Sequence, residues 1–402
     1  MHGEHAIPAA AAGRGPRSAR DIGALFRQHG QAFVAANAPR RQARRALQDI
    51  SVCRTAILGG HLDVCPSCGI ERPAYNSCRN RHCPKCQNLE RNRWLERRQA
   101  ELLPAPYFHV VFTIPEQLNA LALRNKAVVY GILFQASAQT LLTIAADPRH
   151  LGARIGFFSI LHTWGQNLLL HPHVHCVVTG GGLSPDGERW IGCRPGFFLS
   201  VRVLSRLFRR LFLKALQRAF DKGQLQQADQ LPSLLDVLRK REWVVYAKPP
   251  FGGPAQVLDY LGRYTHRVAI SNNRLLGMDG EQVKFRYKNY RTQHKDRHRT
   301  MTLAAGEFIR RFLLHTIPPG FQRIRHYGLL ASRQKQANLA RCRQLLTGTL
   351  PPGPPLPLPT QVASGQDLLL AWLRCPVCGI GQMQRVEILP PRRYCCREID
   401  SS

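Results

Sequence analysis

The chain has 402 residues, 44% of them hydrophobic, which leaves room for two or three domains with real cores. Its formal charge of +32 demands polyanions, so nucleic acid is the leading partner and an anionic membrane surface the alternative. No uninterrupted apolar run of ~18 residues suggests a spanning helix, and residues 1–20 lack the apolar core of a secretory leader. The thirteen cysteines therefore read as thiols or zinc ligands in a reducing cytosol, not as disulfides.

Residues 1–20, rich in Ala, Gly, Arg and Pro, are expected to be disordered. From Asp21 to about Ile50, Ile22, Leu25, Phe26 and Phe33 recur at helical steps. Arg40, Arg41, Arg44 and Arg45 follow as a basic cluster suited to DNA. Next come two Cys-x-x-Cys turns, Cys65 with Cys68 and Cys83 with Cys86. Each turn presents two thiolates to one ion, and two turns complete a tetrahedron, so these four are the expected structural zinc ligands. Cys78 and His82 inside the loop, and Cys53 and His61 before it, are candidates to replace a ligand or to help hold a second ion. Four cysteines leave no open coordination position, so the module is expected to read DNA, with Arg79, Arg81 and Lys85 among its cations.

Residues 107–115 are β-branched and aromatic and read as a central strand, 116–146 as helix, and 157–164 as a further strand. Then His173 and His175 flank the apolar Val174. Residues two apart on a strand share a face, so the two imidazoles make half of a divalent-metal site. If the preceding strand returns as a hairpin partner, His162 falls opposite His173 and becomes the preferred third ligand. Gln166 is the alternative, with His109 and His171 weaker. Gly180, Gly181 and Gly182 are expected in a turn-rich loop leaving that strand.

Residues 200–221 form a basic amphipathic helix, 243–247 a strand. Tyr260 and Tyr264, four apart, share one face of the following helix, among Arg263, His266 and Arg267. Lys284, Arg286 and Lys288 alternate with Phe285 and Tyr287 on a predicted strand over 283–290, and with Arg291 just beyond it they make a pattern suited to stacking and holding single-stranded DNA. Residues 306–346 read as helical, and 350–359 as a proline-rich linker. Beyond it, Cys375 and Cys378 form a knuckle turn, and with Cys395 and Cys396 make a candidate second zinc site.

A His-apolar-His strand followed by Tyr-x-x-x-Tyr closely resembles the rolling-circle transposases of the insertion-sequence 91 family. These are two-tyrosine enzymes of the HUH class (histidine, hydrophobic, histidine). The resemblance runs from the cysteines near residue 65 to about residue 335 and includes the zinc-binding region ahead of the catalytic domain. It implies an α+β fold, with a central antiparallel sheet and flanking helices, a zinc module before it, and a helical region and candidate zinc knuckle after it. The expected division is 1–20 basic tail, 21–106 zinc-binding and DNA-binding domain, 107–335 catalytic domain, 336–365 helix end and linker, 366–402 zinc ribbon.

The resemblance also implies chemistry. Tyr260 and Tyr264 would serve as nucleophiles at successive cleavages of one strand, through 5′-phosphotyrosine intermediates. A Mg²⁺ or Mn²⁺ ion on His173, His175 and His162 would polarise the scissile phosphate. Expected partners are single-stranded element ends and the target site, with a homo-oligomer allowed, no membrane, and a bacterial cytoplasmic setting with the nucleoid. A relaxase or rolling-circle replication initiator would share the nuclease chemistry but usually lacks the leading cysteine module. A non-catalytic zinc-finger protein would leave His173, His175 and the tyrosine pair unexplained.

Overall fold

The computed structural model describes residues 21–248, 256–257, 269–289, 298–331, 333–348 and 374–392, with the side chains of 88–91 and 93 left aside. Tyr260, Arg263, Tyr264, His266, Arg267, Arg291, Cys395 and Cys396 lie outside the described residues, as do the 1–20 tail and the 350–359 linker.

The first part of the chain contributes α1 (Ile22–Asn37), α2 (Arg41–Ser51), β1 (Gly60–Val64), β2 (Glu71–Tyr75) and α3 (Gln87–Gln99). Asp21 caps α1 by accepting the Gly23 N–H at 3.1 Å, which supplies one of the helix's orphan N–H donors with a partner. Then come β3 (Tyr107–Thr113), α4 (Asn119–Arg124), α5 (Lys126–Ala146), β4 (Arg154–Trp164), β5 (Leu170–Leu183), β6 (Trp190–Gly192), α6 (Val201–Asp221), α7 (Leu231–Lys240) and β7 (Val245–Lys248). The rest supplies β8 (Leu275–Asp279), β9 (Gln282–Lys288), β10 (His298–Ala304), α8 (Ala305–Leu314), β11 (Ile324–Gly328), α9 (Lys335–Thr347) and β12 (Gln384–Leu389).

The central sheet runs β11-β4-β5-β3-β7, with β6 added on β5, and its pairs are antiparallel. Alternation along β5 sends Val174, Cys176 and Val178 to one face, where they meet Phe112 of β3, Leu161 of β4, and the apolar sides of α5 and α6. Burying a side chain such as Val174 is worth ~1.5–3 kcal/mol. By length and composition α5 is apolar enough to cross a membrane, yet Val129, Leu133 and Phe134 are spent on this core. The opposite face is covered at one end by Trp94 of α3 and Leu339 and Cys342 of α9. Toward its other end this face carries histidines and borders a cavity.

A second core joins distant stretches. Phe26 of α1 meets Phe312 of α8 edge-on at 5.2 Å, and Leu47, Phe285, Phe308 and Ile309 pack with them. Thus the 21–106 stretch shares a core with the small antiparallel sheet β10-β9-β8.

Two local expectations are corrected. Residues 306–346 are not continuously helical: β11 interrupts them because Ile324–Gly328 pairs with β4, from Ile160 to Gly156. The three glycines are not a loop either. They continue β5, and a Cβ on Gly182 would lie 2.2 Å from the Arg154 carbonyl oxygen, one on Gly180 2.9 Å from that of Pro106. Close backbone approach on both sides of the strand requires their bare Cα atoms.

Candidate active site

Three strands place the histidines. The β4–β5 register sets His162 directly opposite His173, and β3–β5 sets Val111 opposite His175. One ligand nitrogen each from His162, His173 and His175 lies within 4.8 Å of the others. Three imidazole nitrogens this close can be shared by one divalent ion. Burial favours the neutral imidazoles that ligate metals: it holds His173 down to about 4 and His175 well below the usual range.

The rings are fixed from behind. His173 Nδ1 donates to the His171 carbonyl at 2.6 Å, leaving Nε2 for a metal. Trp164 stacks on His162 at 4.6 Å. His109 of β3 lies 2.8 Å from His175 through Nε2···Nδ1, with the two rings near-parallel. His109, given little weight from sequence, is thus a neighbour of the triad. The signal that finds it is the β3–β5 register, which puts it on the histidine face. Gln166 lines the same cavity.

That cavity, about 700 Å³, lies between the central sheet and the small β8–β10 sheet. Lys248, Arg274 and Lys288 stand on its wall, and Tyr246 and Tyr287 add phenols. Among the described residues, no carboxylate lines it. A cationic hollow around neutral imidazoles suits a phosphodiester. Arg274 ties the two sheets by donating to the Gln166 and Arg286 carbonyls, at 2.6 and 2.7 Å. The stretch that carries Tyr260 and Tyr264 is bounded by Val257, buried on the histidine face of the sheet, and by Ala269, on the cavity wall.

The cysteines do not form the expected tetrad of Cys65, Cys68, Cys83 and Cys86. They form two. Cys83 and Cys86 join Cys53 and Cys78, with Cys86 Sγ 3.6 Å from Cys53 and 3.7 Å from Cys78. Cys65 and Cys68 join Cys375 and Cys378, with Cys65 Sγ 3.7 Å from Cys378 and Cys68 Sγ 3.6 Å from Cys375. These spacings are far too long for disulfides, and a tetrahedral zinc with ~2.3 Å bonds wants sulfurs about 3.8 Å apart. The second cluster has four thiols without Cys395 or Cys396. Sheet pairing explains the exchange: β12 runs antiparallel to β1, giving a β12-β1-β2 sheet that carries the Cys375–Cys378 turn to the Cys65–Cys68 turn.

His82 is not in either cluster. Its Nε2 accepts the Ile317 N–H at 3.1 Å and its Nδ1 lies 3.1 Å from Asn80 Oδ1, while burial pushes its pKa down to about 3. Two of the expected DNA-binding cations also make contacts within the fold. Lys85 pairs with Asp21 at 2.7 Å, and Arg81 donates to the Phe321 carbonyl at 2.8 Å. Both fasten the cysteine module to its neighbours. Arg79 is exposed, as are Lys284, Arg286 and Lys288, opposite the buried Val283 and Phe285 of β9.

Comparisons with known proteins give the chain's relatives. A family model described as "Putative transposase" matches residues 156–337, and one described as "Transposase zinc-binding domain" matches residues 25–114. The chain is similar to y4qJ of Sinorhizobium fredii (strain NBRC 101917 / NGR234), which carries the first description. They are 56% identical over 94% of this chain and 98% of that one. It is also similar to the transposase for insertion sequence element IS801 of Pseudomonas savastanoi pv. phaseolicola, 29% identical over 81% of this chain and 79% of that one. No solved structure matches.

Proposed function

Because the chain belongs to the insertion-sequence 91 family of transposases, we propose that it nicks and rejoins single-stranded DNA through phosphotyrosine intermediates in a rolling-circle transposition. As a transposase it acts on DNA, and the family implies endonuclease and strand-transfer activity. The observation that carries the finer reading is the gathering of His162, His173 and His175 in a cationic cavity that no carboxylate lines among the described residues. The three imidazoles would hold a Mn²⁺ or Mg²⁺ ion, which when bound polarises the scissile phosphate as a Lewis acid.

The protein's own residues do the rest. Lys248, Arg274 and Lys288 attract and orient the phosphodiester. Tyr260 or Tyr264 attacks phosphorus: the phenol gives up its proton as its O–P bond forms, the P–O3′ bond breaks, and the 3′-oxygen takes up one proton and leaves as a hydroxyl, so no net proton is consumed. A phenol's ordinary pKa of about 10 makes it a poor nucleophile at neutral pH, so a polarised phosphate and close alignment supply the help it needs. Two tyrosines serve two cleavages, one at each end of the transferred strand. Bond energy is kept in the phosphotyrosine, so rejoining needs no nucleotide.

The two cysteine tetrads are closed sites, and we read each as structural zinc. Hydrogen bonds among the four thiols of the first tetrad lower Cys53 and Cys86 and raise Cys78 and Cys83, the mutual coupling of thiols packed as one cluster.

Incubation with single-stranded oligonucleotides from the element's ends tests the reading through denaturation-resistant adducts. Single Tyr260→Phe and Tyr264→Phe proteins should each keep an adduct through the other tyrosine, and the double variant should form none. If the double variant forms adducts at the normal rate, the tyrosine pair is overturned, and Tyr287 on the cavity wall becomes the nucleophile to test.

A further inference from the structure

The far side of the central sheet carries a second concentration of charge. Arg206, Arg210 and Lys214 are exposed along α6. With Arg149, Arg218 and Arg239 they line a hollow of about 1050 Å³. Its floor is apolar, from Ile144, Val203, Leu207 and Leu213, and its one carboxylate, Asp147, is paired with Arg149 at 2.7 Å. A simple solvated helix face would be convex. This one is concave, and its cations stand over an apolar floor of the kind that accepts sugars and bases between phosphates.

The hollow leads on. A second cleft of about 800 Å³ shares Arg206, Arg209 and Arg239 and ends at Val244 and Val245. Among the described residues, β7 is the edge of the central sheet. On the same strand, one residue further, Tyr246 and Lys248 line the histidine cavity. Their register, Tyr246 opposite Val111 and Lys248 opposite His109, puts them on the histidine face, whereas Val245 and Ala247 pack against the core beneath α6. Val244 is 65% and Tyr246 50% exposed. An apolar and an aromatic side chain standing open at a sheet edge, between two cationic hollows, form a stacking step.

We propose that a single DNA strand held at the histidine cavity continues over the β7 edge, past Tyr246 and Val244, into the basic trough of α6. The trough is then the anchor for DNA flanking the cut, and it sets how much strand beyond the scissile bond the protein needs. This rests on the DNA-cleavage reading above only for what occupies the histidine cavity.

The test is binding to a ladder of oligothymidylates of increasing length, on the full chain with His173→Ala so that nothing is cleaved. Affinity should rise with length in the parent protein. In the Arg206→Glu, Arg210→Glu, Lys214→Glu protein, and less strongly in the triple Gln version, that rise should vanish while the shortest strands bind as before. The salt slope for long strands should flatten by about two, three contacts at ~0.7 each. A Tyr246→Ala protein should lose part of the same gain. Arg124→Glu, Arg194→Glu, Arg392→Glu, an equal change of charge at exposed positions away from the track, should leave the length dependence in place. The track is overturned if the α6 variants bind every length as the parent does. It is equally overturned if both charge-reversed proteins weaken all lengths alike, since general charge then suffices. Loss of duplex binding with single-strand binding kept would make the trough a duplex site and sink the proposal. If no adduct forms on any oligonucleotide in the cleavage-competent protein while the length gain is lost as expected, the cleavage reading fails and the track stands.

Discussion

The cysteine centres and the histidine centre start from the same kind of local motif, two ligands a few positions apart, but are completed differently. Each sulfur centre gathers four thiols at 3.6–3.7 Å contacts, which fills a tetrahedron and leaves no position for a substrate. The histidine centre gathers three imidazoles at the bottom of a cavity and so keeps coordination positions free. The sulfur centres also differ from each other. Cys53, Cys83 and Cys86 belong to the core that holds Phe26, Phe308 and Phe312, whereas Cys65 and Cys375 share a small cluster with Met383. Position in the fold, more than ligand type, decides what each centre is for.

The strongest way to press this comparison is Cys83→Ser. Zinc binding in comparable small sites is worth ~10–16 kcal/mol, and this tetrad borders a core, so the variant should lose one zinc and much of the cooperative unfolding transition. A thermal scan with metal analysis reads both; an unchanged transition with one zinc missing would show that the core does not depend on the tetrad. His173→Ala comes next. It should lower cleavage by about three orders of magnitude or more, since a Lewis acid contributes several kcal/mol, yet leave two zincs per chain. A fall in zinc content would erase the distinction between closed and open centres. Cys375→Ser should release one zinc with a far smaller effect on the main unfolding transition. Cleavage of short oligonucleotides should stay within about threefold, because its cluster touches neither large core. Proteolysis should then release the 374–392 segment first. The smallest effect is expected of Gln166→Ala, about tenfold or less in cleavage, as for a group beside the ligands, against a His162→Ala loss as large as that of His173→Ala. A large loss in Gln166→Ala with a small one in His162→Ala would move the third ligand from His162 to Gln166.

Much of the histidine centre could be read from the sequence because strand periodicity is local. His173 and His175 share a face by alternation, and a hairpin return sets His162 opposite. His109 was underrated because its contact with His175 depends on which strand flanks β5 on the other side. Sulfur pairing could not be read, since two Cys-x-x-Cys turns close in sequence look like one site, and nothing local says that Cys65 and Cys68 wait for Cys375 and Cys378. The alternatives noted for Cys53 and Cys78 pointed to the other half of the answer. β11 read as helix because its short apolar pattern fits both periods, and pairing with β4 decided it. Lys85 and Arg81 also have partners within the fold, the Asp21 carboxylate and the Phe321 carbonyl, which charge alone could not foretell.

The pairing of β12 with β1 has a consequence in time. Cys68 and Cys375 are 307 positions apart. A ribosome adding ~5–20 residues per second needs roughly 15–60 s to cover that interval. Throughout it, Cys65 and Cys68 exist as half a site, and β1 shows the edge that β12 will later cover. The ribbon can seal only after Cys378 has emerged, whereas Cys53, Cys78, Cys83 and Cys86 can close within the first seconds. One centre is therefore an early event of synthesis and the other a late one, and the late centre records that the chain has been read through to its second knuckle.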